Sequence, residues 1–362
     1  MKRKKICTVV GARPQFVKAG LISKELAGKC REVLIHTGQH YDQQMSDVFF
    51  NDLDLKKPTY NLNIGSGQHG VQTGKMLQKI EAVLIKEKPD LALVYGDTNS
   101  TIAGALAAVK LGIPLAHVEA GLRSFNTQMP EEINRVLTDR LSKLLFCPTE
   151  TAVQNLKKEN IKAGVHNVGD VMYDLALIYG QIAEKRSTIL TKLDLVPNSY
   201  SLLTVHRAIN TDDPATLQRL LATLASTGKK MVFPIHPRTK KALSQLNLSA
   251  KVKSLIKQNI MIIDPLGYID MVKLEKNARF IVTDSGGVQK EAYFFAVPCI
   301  TLRNETEWGE TLRGGWNTLV GSDASKISRA LGGAKKRQKQ VKYYGNGKAH
   351  QKIVKIIMRS MN

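Results

Sequence analysis

The stretch from Ala92 to Arg135 narrows the possible folds more than any other part of this 362-residue chain. Residues 91–95 form an apolar run of strand length, and Gly96-Asp97-Thr98 breaks it where the helical spacing of Ile102, Leu106 and Val109 begins. Asp97 is therefore expected at the carboxyl end of a strand. Residues 113–118 repeat the design and end on Glu119-Ala120-Gly121, after which Pro130-Glu131-Glu132 opens a helix with its proline in the first turn. In an open α/β sheet, ligands bind at strand carboxyl ends. Asp97, Glu119 and Glu131 thus form a candidate catalytic set on neighbouring strand-end loops. Each also has a plain structural reading: Asp97 as a helix N-cap, Glu131 as a partner of the helix dipole, Glu119 as an ion-pair partner of Arg123.

The alternation of strand and helix runs through the first half. Residues 5–10 predict a strand, 11–15 a tight turn and 16–26 a helix, with Arg13 and Lys18 placing positive charge beside the backbone N–H groups of a helix start, where a phosphate would sit. The turn is neither GxGxxG nor a Walker loop, so neither a nicotinamide nor an ATP site is expected. A second strand over 32–37 ends on Gly38-Gln39-His40, with His40 open as a ligand contact or a loop hydrogen bonder. A polar glycine-rich loop is expected over 65–74, followed by a long helix to residue 86. Strands at 143–147 and 165–168 flank a helix at 150–159. The segment 169–174 starts a helix that leaves this sheet, which places a domain boundary near Gly169.

The second half restarts the pattern. Strands over 200–205, 231–235, 261–263 and 280–283 end on His206-Arg207, His236-Pro237-Arg238, Asp264-Pro265 and Asp284-Ser285-Gly286-Gly287. The Ser285-Gly286-Gly287 turn leads into a helix and offers bare amides to a pyrophosphate, while Glu291, one turn in, suits two vicinal ribose hydroxyls. The same residues also read as satisfied loop histidines and an ordinary helix start. Both halves end their strands in polar residues, as two sheets facing a shared cleft would.

Composition bounds the partners. Lys and Arg number 53 against 31 Asp and Glu, a net charge of +22, which favours acidic ligands. The basic run at 335–342 lacks interleaved aromatics, and no RNP, KH or zinc-finger pattern occurs, so a nucleic-acid partner is not expected. Cys7, Cys30, Cys147 and Cys299 show no ligand or disulfide spacing, which points to a reducing, cytoplasmic setting without a metal centre. No signal-type apolar region follows Met1-Lys2-Arg3-Lys4-Lys5, and no apolar stretch approaches the length needed for membrane insertion.

Seven motifs, Gly11-Ala12-Arg13-Pro14, Gly96-Asp97-Thr98, His117 to Arg123, Pro130 to Arg135, Pro148-Thr149-Glu150, His206-Arg207 and Asp284 to Gln289, occur in fixed order across nearly the whole chain. In this the sequence resembles the non-hydrolysing UDP-N-acetylglucosamine 2-epimerases. The resemblance implies an α/β, GT-B-like fold: two Rossmann-like doubly wound domains, 1–169 and 170–347, facing a central cleft, with a C-terminal helix (348–362) packed back on the first. It implies reversible inversion at C2 of a UDP-sugar without metal or cofactor, by elimination and re-addition of UDP. Asp97, Glu119 and Glu131 would be the acid/base set and His206 the essential histidine near the leaving phosphate. Arg13 and Lys18 would lie beside the diphosphate, Ser285, Gly286 and Gly287 would cradle it, Glu291 would meet the ribose, and His236 would take a nucleotide-side position. Gln39, His40 and Arg207 match regulatory or sugar-side positions, and a homodimer is the expected assembly.

Departures bear on the sugar. Gln15 stands where most UDP-N-acetylglucosamine enzymes of this family carry Glu, Trp308 where they carry Arg, and Ile209 where an acid usually follows His-Arg. The Gln15 and Trp308 forms resemble the branch acting on UDP-2,3-diacetamido-2,3-dideoxyglucuronate, the alternative substrate. A GT-B glycosyltransferase is a further reading, which the three-acid set argues against, and a binding protein for anionic polymers, which would tolerate loss of the acids, is a third.

Overall fold

The computed structural model describes residues 3–39, 57–333 and 338–361, with Arg13 and Pro14 described by backbone alone. His40 and the Arg13 side chain therefore lie outside the described residues. Two compact units divide the chain: Met1–Leu175 with Lys342–Asn362, and Ala176–Val341.

The first unit holds β1 (Lys5–Val10), β2 (Arg31–His36), β3 (Tyr60–Asn61), β4 (Leu91–Tyr95), β5 (Leu115–Val118), β6 (Leu144–Cys147) and β7 (Val165–Asn167). They form one sheet in the order β3-β2-β1-β4-β5-β6-β7. The second holds β8 (Ser201–Thr204), β9 (Met231–Pro234), β10 (Ile260–Ile263), β11 (Phe280–Thr283), β12 (Cys299–Thr301) and β13 (Asn317–Leu319), ordered β10-β9-β8-β11-β12-β13. All strand pairs are parallel. The α/β, doubly wound class expected from the sequence is thus observed twice. In each sheet the strand order reverses beside the first strand, between β1 and β4 and again between β8 and β11. A crevice opens at such a point because the chain leaves the two strands in opposite directions.

Both faces of these sheets are covered, which is why the strands read as continuous apolar runs rather than alternating ones. In β11, Phe280 and Val282 pack with Leu217, Leu221 and Phe233 on one side, while Ile281 packs with Tyr200, Leu202 and Leu274 on the other. In the first unit Cys7, Val9, Val33, Ile35, Ala92 and Val94 share one face with Met76 and Ile80. Each such aliphatic side chain contributes roughly 1.5–3 kcal/mol on full burial. The C-terminal helix Ala349–Ser360 buries Ile353, Val354 and Ile357 and packs on helix Arg13–Leu26. Its first turn is tied down where His350 Nδ1 and backbone N meet Asp174 Oδ2 at 2.6 and 2.8 Å. The four cysteines are buried.

The expected glycine-rich loop over 65–74 is shorter than the sequence suggests. Helix His69–Glu87 begins inside it and takes in Gly70 and Gly74. Each helical glycine costs up to about 1 kcal/mol, which burial of Met76, Ile80, Val83 and Leu84 on one face of the same helix outweighs. The first helix also starts earlier than expected, at Arg13 rather than residue 16, with its proline in the first turn. A short helix, Ala208–Thr211, occupies part of the segment between β8 and helix Pro214–Ser226.

Gly164 lies at φ +71, and a Cβ there would stand 2.0 Å from the Lys143 carbonyl oxygen. Gly164→Ala is therefore expected to destabilise the first unit by about 2 kcal/mol or more, lowering its Tm by roughly 4–8 °C. Calorimetric unfolding checks this; an unchanged Tm would contradict the close approach.

Candidate active-site clusters

In the first unit the acids stand where the strands end. Gly96 turns at φ +60 directly after β4, and Asp97 follows it with 30% of its side chain exposed. Asp97 does not cap the next helix. Thr98 does, in a capping box with Thr101. The Asp97 carboxylate instead takes Arg135 Nη2 at 2.6 Å, and its backbone carbonyl accepts from Asn134 Nδ2 at 3.0 Å.

Glu119 follows β5 in the left-handed region at φ +76, a strain on the order of 1–3 kcal/mol for a residue other than glycine. Its backbone N–H is tied to the Phe146 carbonyl at 3.0 Å, and its carboxylate pairs with Lys18 with both side chains almost fully buried. Arg123 is not its partner. That guanidinium bonds Asp139 at 2.7 Å and Glu159 through two contacts of 2.6 and 2.8 Å. A Cβ on Gly96 would lie 3.4 Å from Glu119 Oε2, so the Gly96 and Glu119 turns touch.

Glu131 and Glu132 open helix Pro130–Leu141 and have different duties. The Glu132 carboxylate accepts from the Ser124 amide at 2.8 Å, the Ser124 hydroxyl at 2.9 Å and the Phe125 amide at 3.0 Å. Glu131 is half-buried, and its carboxylate has no hydrogen bond among the described residues. The three acids feel one another. Burial raises the Asp97 pKa above its ordinary value, Glu119 and Glu131 push it further up, and Arg135 and Lys18 pull it down.

Two braces fix these turns. His117 is fully buried, and its Nδ1 and Nε2 meet Asp139 Oδ1 and the Gly96 carbonyl oxygen, each at 2.7 Å. The ring thus bridges the Asp139 carboxylate and the Gly96 carbonyl. Gln15 accepts from the Gly11 and Ala12 amides at 2.7 and 3.0 Å and donates to the Tyr95 carbonyl and the Thr98 and Thr101 hydroxyls at 2.6, 3.0 and 2.9 Å. This links the β1 turn to the β4 turn. Gln39 is likewise buried, its Oε1 accepting from the Ser100 amide and hydroxyl at 3.1 and 2.6 Å.

In the second unit the strand ends gather around Asp284, which is fully buried. Its carboxylate accepts from the His206 amide at 3.1 and 3.0 Å, the Arg207 amide at 2.9 Å and Asn210 Nδ2 at 3.0 Å. The His206 and His236 rings lie 5.4 Å apart between centroids. His236 also caps helix Pro237–Ser244, its Nδ1 accepting from the Arg238 amide at 3.2 Å. Burial lowers the His206 pKa, with Arg207 and Arg238 acting in the same sense and Asp284 opposing them.

Ser285 caps helix Gly286–Phe294, leaving the first-turn amides of Gly286 and Gly287 without an intrahelical acceptor. A Cβ on Gly286 would lie 2.7 Å from Glu307 Oε1 and 3.4 Å from Trp308 Nε1, so a larger residue there would have to displace the Glu307 carboxylate. Glu291 turns inward and accepts from the Tyr268 hydroxyl at 2.9 Å. Trp308 is buried with Lys290 Nζ 3.8 Å from its ring centroid.

Arg135, Asp139, Asn210 and Asp284 are the residues that sequence reasoning did not assign a role in the site. Arg135 left a signal in its spacing of four from Glu131, which places both on one helix face, and Asp284 in its place at the end of a strand; Asp139 and Asn210 left none. Among the described residues, no group of three or more His, Cys, Asp or Glu is arranged to hold a metal ion, and no helix is long and apolar enough to cross a membrane.

A family model described as UDP-N-acetylglucosamine 2-epimerase matches residues 24–358. A Methanococcus maripaludis protein named UDP-N-acetylglucosamine 2-epimerase homolog is 54% identical over 355 residues, covering 98% of this chain and 99% of its own. The UDP-2,3-diacetamido-2,3-dideoxy-D-glucuronate 2-epimerase of Pseudomonas aeruginosa is 46% identical over 365 residues, covering 98% and 99%. The crystal structure of Methanocaldococcus jannaschii UDP-GlcNAc 2-epimerase in complex with UDP-GlcNAc and UDP matches with a TM-score of 0.89 at 47% identity, over 98% of this chain and 99% of that one.

The Asp97 carboxyl, followed by carbon-detected NMR titration, is expected above the ordinary aspartate range. Glu119→Gln should lower its pKa, and Arg135→Gln should raise it further. Shifts in the same direction for both variants would contradict the coupling.

Proposed function

Because the chain belongs to the UDP-N-acetylglucosamine 2-epimerase family, we propose that it interconverts UDP-N-acetylglucosamine and UDP-N-acetylmannosamine by inversion at C2. The observation that carries this reading is the grouping of Asp97, Glu119 and Glu131, whose charges act on one another, at the turns that follow β4 and β5 and at the start of helix Pro130–Leu141. The C2 hydrogen of the sugar is not next to a carbonyl, so a carboxylate cannot remove it directly. Breaking the C1–O bond first sends the bonding pair to UDP and builds positive charge at C1. The C2 proton then becomes acidic, a carboxylate takes it, and C1=C2 forms, giving 2-acetamidoglucal and bound UDP. Delivery of a proton to the opposite face of C2, with return of the UDP oxygen to C1, completes the inversion. No atom is gained or lost.

Positioned acid/base groups of this kind contribute about 10²–10⁴-fold each. Glu131, without a hydrogen-bond partner among the described residues, is the acid most available to a substrate. Asp97, with its raised pKa, is suited to hold and release a proton. Lys18 and Arg135 keep two carboxylates in place in a crowded site. The second unit takes the nucleotide: the Gly286 and Gly287 amides with the helix N-terminus receive the diphosphate, His206 and His236 stand on the same side of that unit's sheet, and Glu291 meets the ribose. A homodimer in the cytoplasm that supplies sugar donors for surface polysaccharide completes this reading.

The substrate of the Pseudomonas relative remains a second reading, since its 46% identity is close to the 47% of the Methanocaldococcus jannaschii enzyme named for UDP-N-acetylglucosamine. Gln15 does not favour it, because both polar atoms of that side chain are committed to backbone and threonine contacts. Trp308 does, as a buried aromatic beside the Gly286 turn.

Proton NMR of the purified protein with each nucleotide in D₂O, without added metal, tests both. The proposal expects the manno epimer of UDP-N-acetylglucosamine with deuterium at C2, and loss of exchange by 10²-fold or more in Asp97→Asn. Exchange with the diacetamido uronate alone would move the protein to the second reading, and exchange with neither would refute the epimerase chemistry.

A further inference from the structure

Asp284 is placed by the sheet rather than by its own loop. Thr204 and Thr283 are register partners on β8 and β11 with their hydroxyls 2.5 Å apart, and the Asp284 amide donates to the Thr204 carbonyl at 3.3 Å. This parallel pairing delivers the Asp284 carboxylate beneath the residues that leave β8. The carboxylate holds three N–H donors there, and its Oδ1 stands 3.4 Å from His206 Nδ1.

We propose that Asp284 is a positioning residue for His206, accepting from Nδ1 and so selecting the imidazole tautomer that leaves Nε2 for the ligand. The inference rests on the reading above, in which His206 serves the diphosphate. A base oriented by a third group is the general form of such constellations. Negative charge collects on the β-phosphate oxygen as the C1–O bond breaks. The imidazolium can donate its Nε2 proton to that oxygen as the bond breaks, leaving the neutral Nδ1–H ring, and takes the proton back on Nε2 when the C1–O bond reforms, with Asp284 offsetting the imidazolium charge. The groups facing the ring are Asp284, the His236 imidazole, Arg207 and Arg238, the last paired with Asp212 at 3.1 Å. Burial and both arginines disfavour a protonated ring, and Asp284 is the group that opposes them.

The full-length protein labelled with nitrogen-15 at histidine gives the first test, through long-range proton–nitrogen correlation. Neutral His206 is expected as the Nδ1–H tautomer, and an Nε2–H tautomer would overturn the proposal, with no variant required. Asp284→Asn, with folding checked by UDP-induced thermal shift, is then expected to lose about 10²-fold in kcat while KM moves less than about threefold. Its alkaline limb should shift to lower pH, because the ring gives up its proton sooner without the carboxylate. An unchanged limb and kcat would also overturn the proposal. Full turnover by His206→Gln would instead remove His206 from the diphosphate, a failure of the functional reading that the tautomer measurement distinguishes.

Discussion

The contact between His117 and the Gly96 carbonyl is the interaction on which the strand-end turns of the first unit depend. It joins the last residues of β5 to the turn after β4, so the residues flanking His117 and Gly96 in sequence, Glu119 and Asp97, are held at a set separation. Asp139 fixes the other side of the ring, Arg123 fixes Asp139, and Glu159 fixes Arg123. None of these four side chains needs to touch a ligand. Hydrogen bonds to charged partners in a buried setting are worth about 1.5–3 kcal/mol each, enough to hold Glu119 in a backbone conformation that costs a similar amount.

The two sheets solve one problem in two ways. In each, the strand order reverses beside the first strand, and polar residues sit at that reversal. The first unit places carboxylates there and restrains them with Lys18 and Arg135, which lowers the cost of crowding like charges. The second places histidines, a buried aspartate and a glycine pair at a helix start, a set suited to an anion. The division matches the chemistry of a nucleotide sugar, whose sugar carbon needs proton transfer and whose diphosphate needs charge stabilisation.

Much of this was legible in the sequence because strand ends are marked by abrupt changes of residue type. Tyr95-Gly96-Asp97, Val118-Glu119 and Thr283-Asp284-Ser285 all pass from apolar to polar in one step, and their elements form close to where the spacing predicts. The motifs carried the family as well. What stayed hidden depends on distance along the chain: His117 meets Asp139 22 positions away, and His206 meets Asp284 78 positions away. Gln15 looked like a sugar-side substitution and is a strut between two turns, which only packing reveals. β12 and β13, at three residues each, are too short to show a period. The start of helix His69–Glu87 was masked by glycines that tertiary burial overrides.

The central claim is that the C1–O bond breaks and reforms while UDP stays bound. Positional isotope exchange tests it most directly: UDP-N-acetylglucosamine carrying oxygen-18 in the bridge between C1 and the β-phosphorus is incubated with the protein and followed by phosphorus NMR. The account predicts that the label moves into the non-bridging β-phosphate oxygens at a rate comparable to epimerisation, because the freed phosphate rotates before it re-adds. Epimerisation at C2 with the label still in the bridge would contradict it.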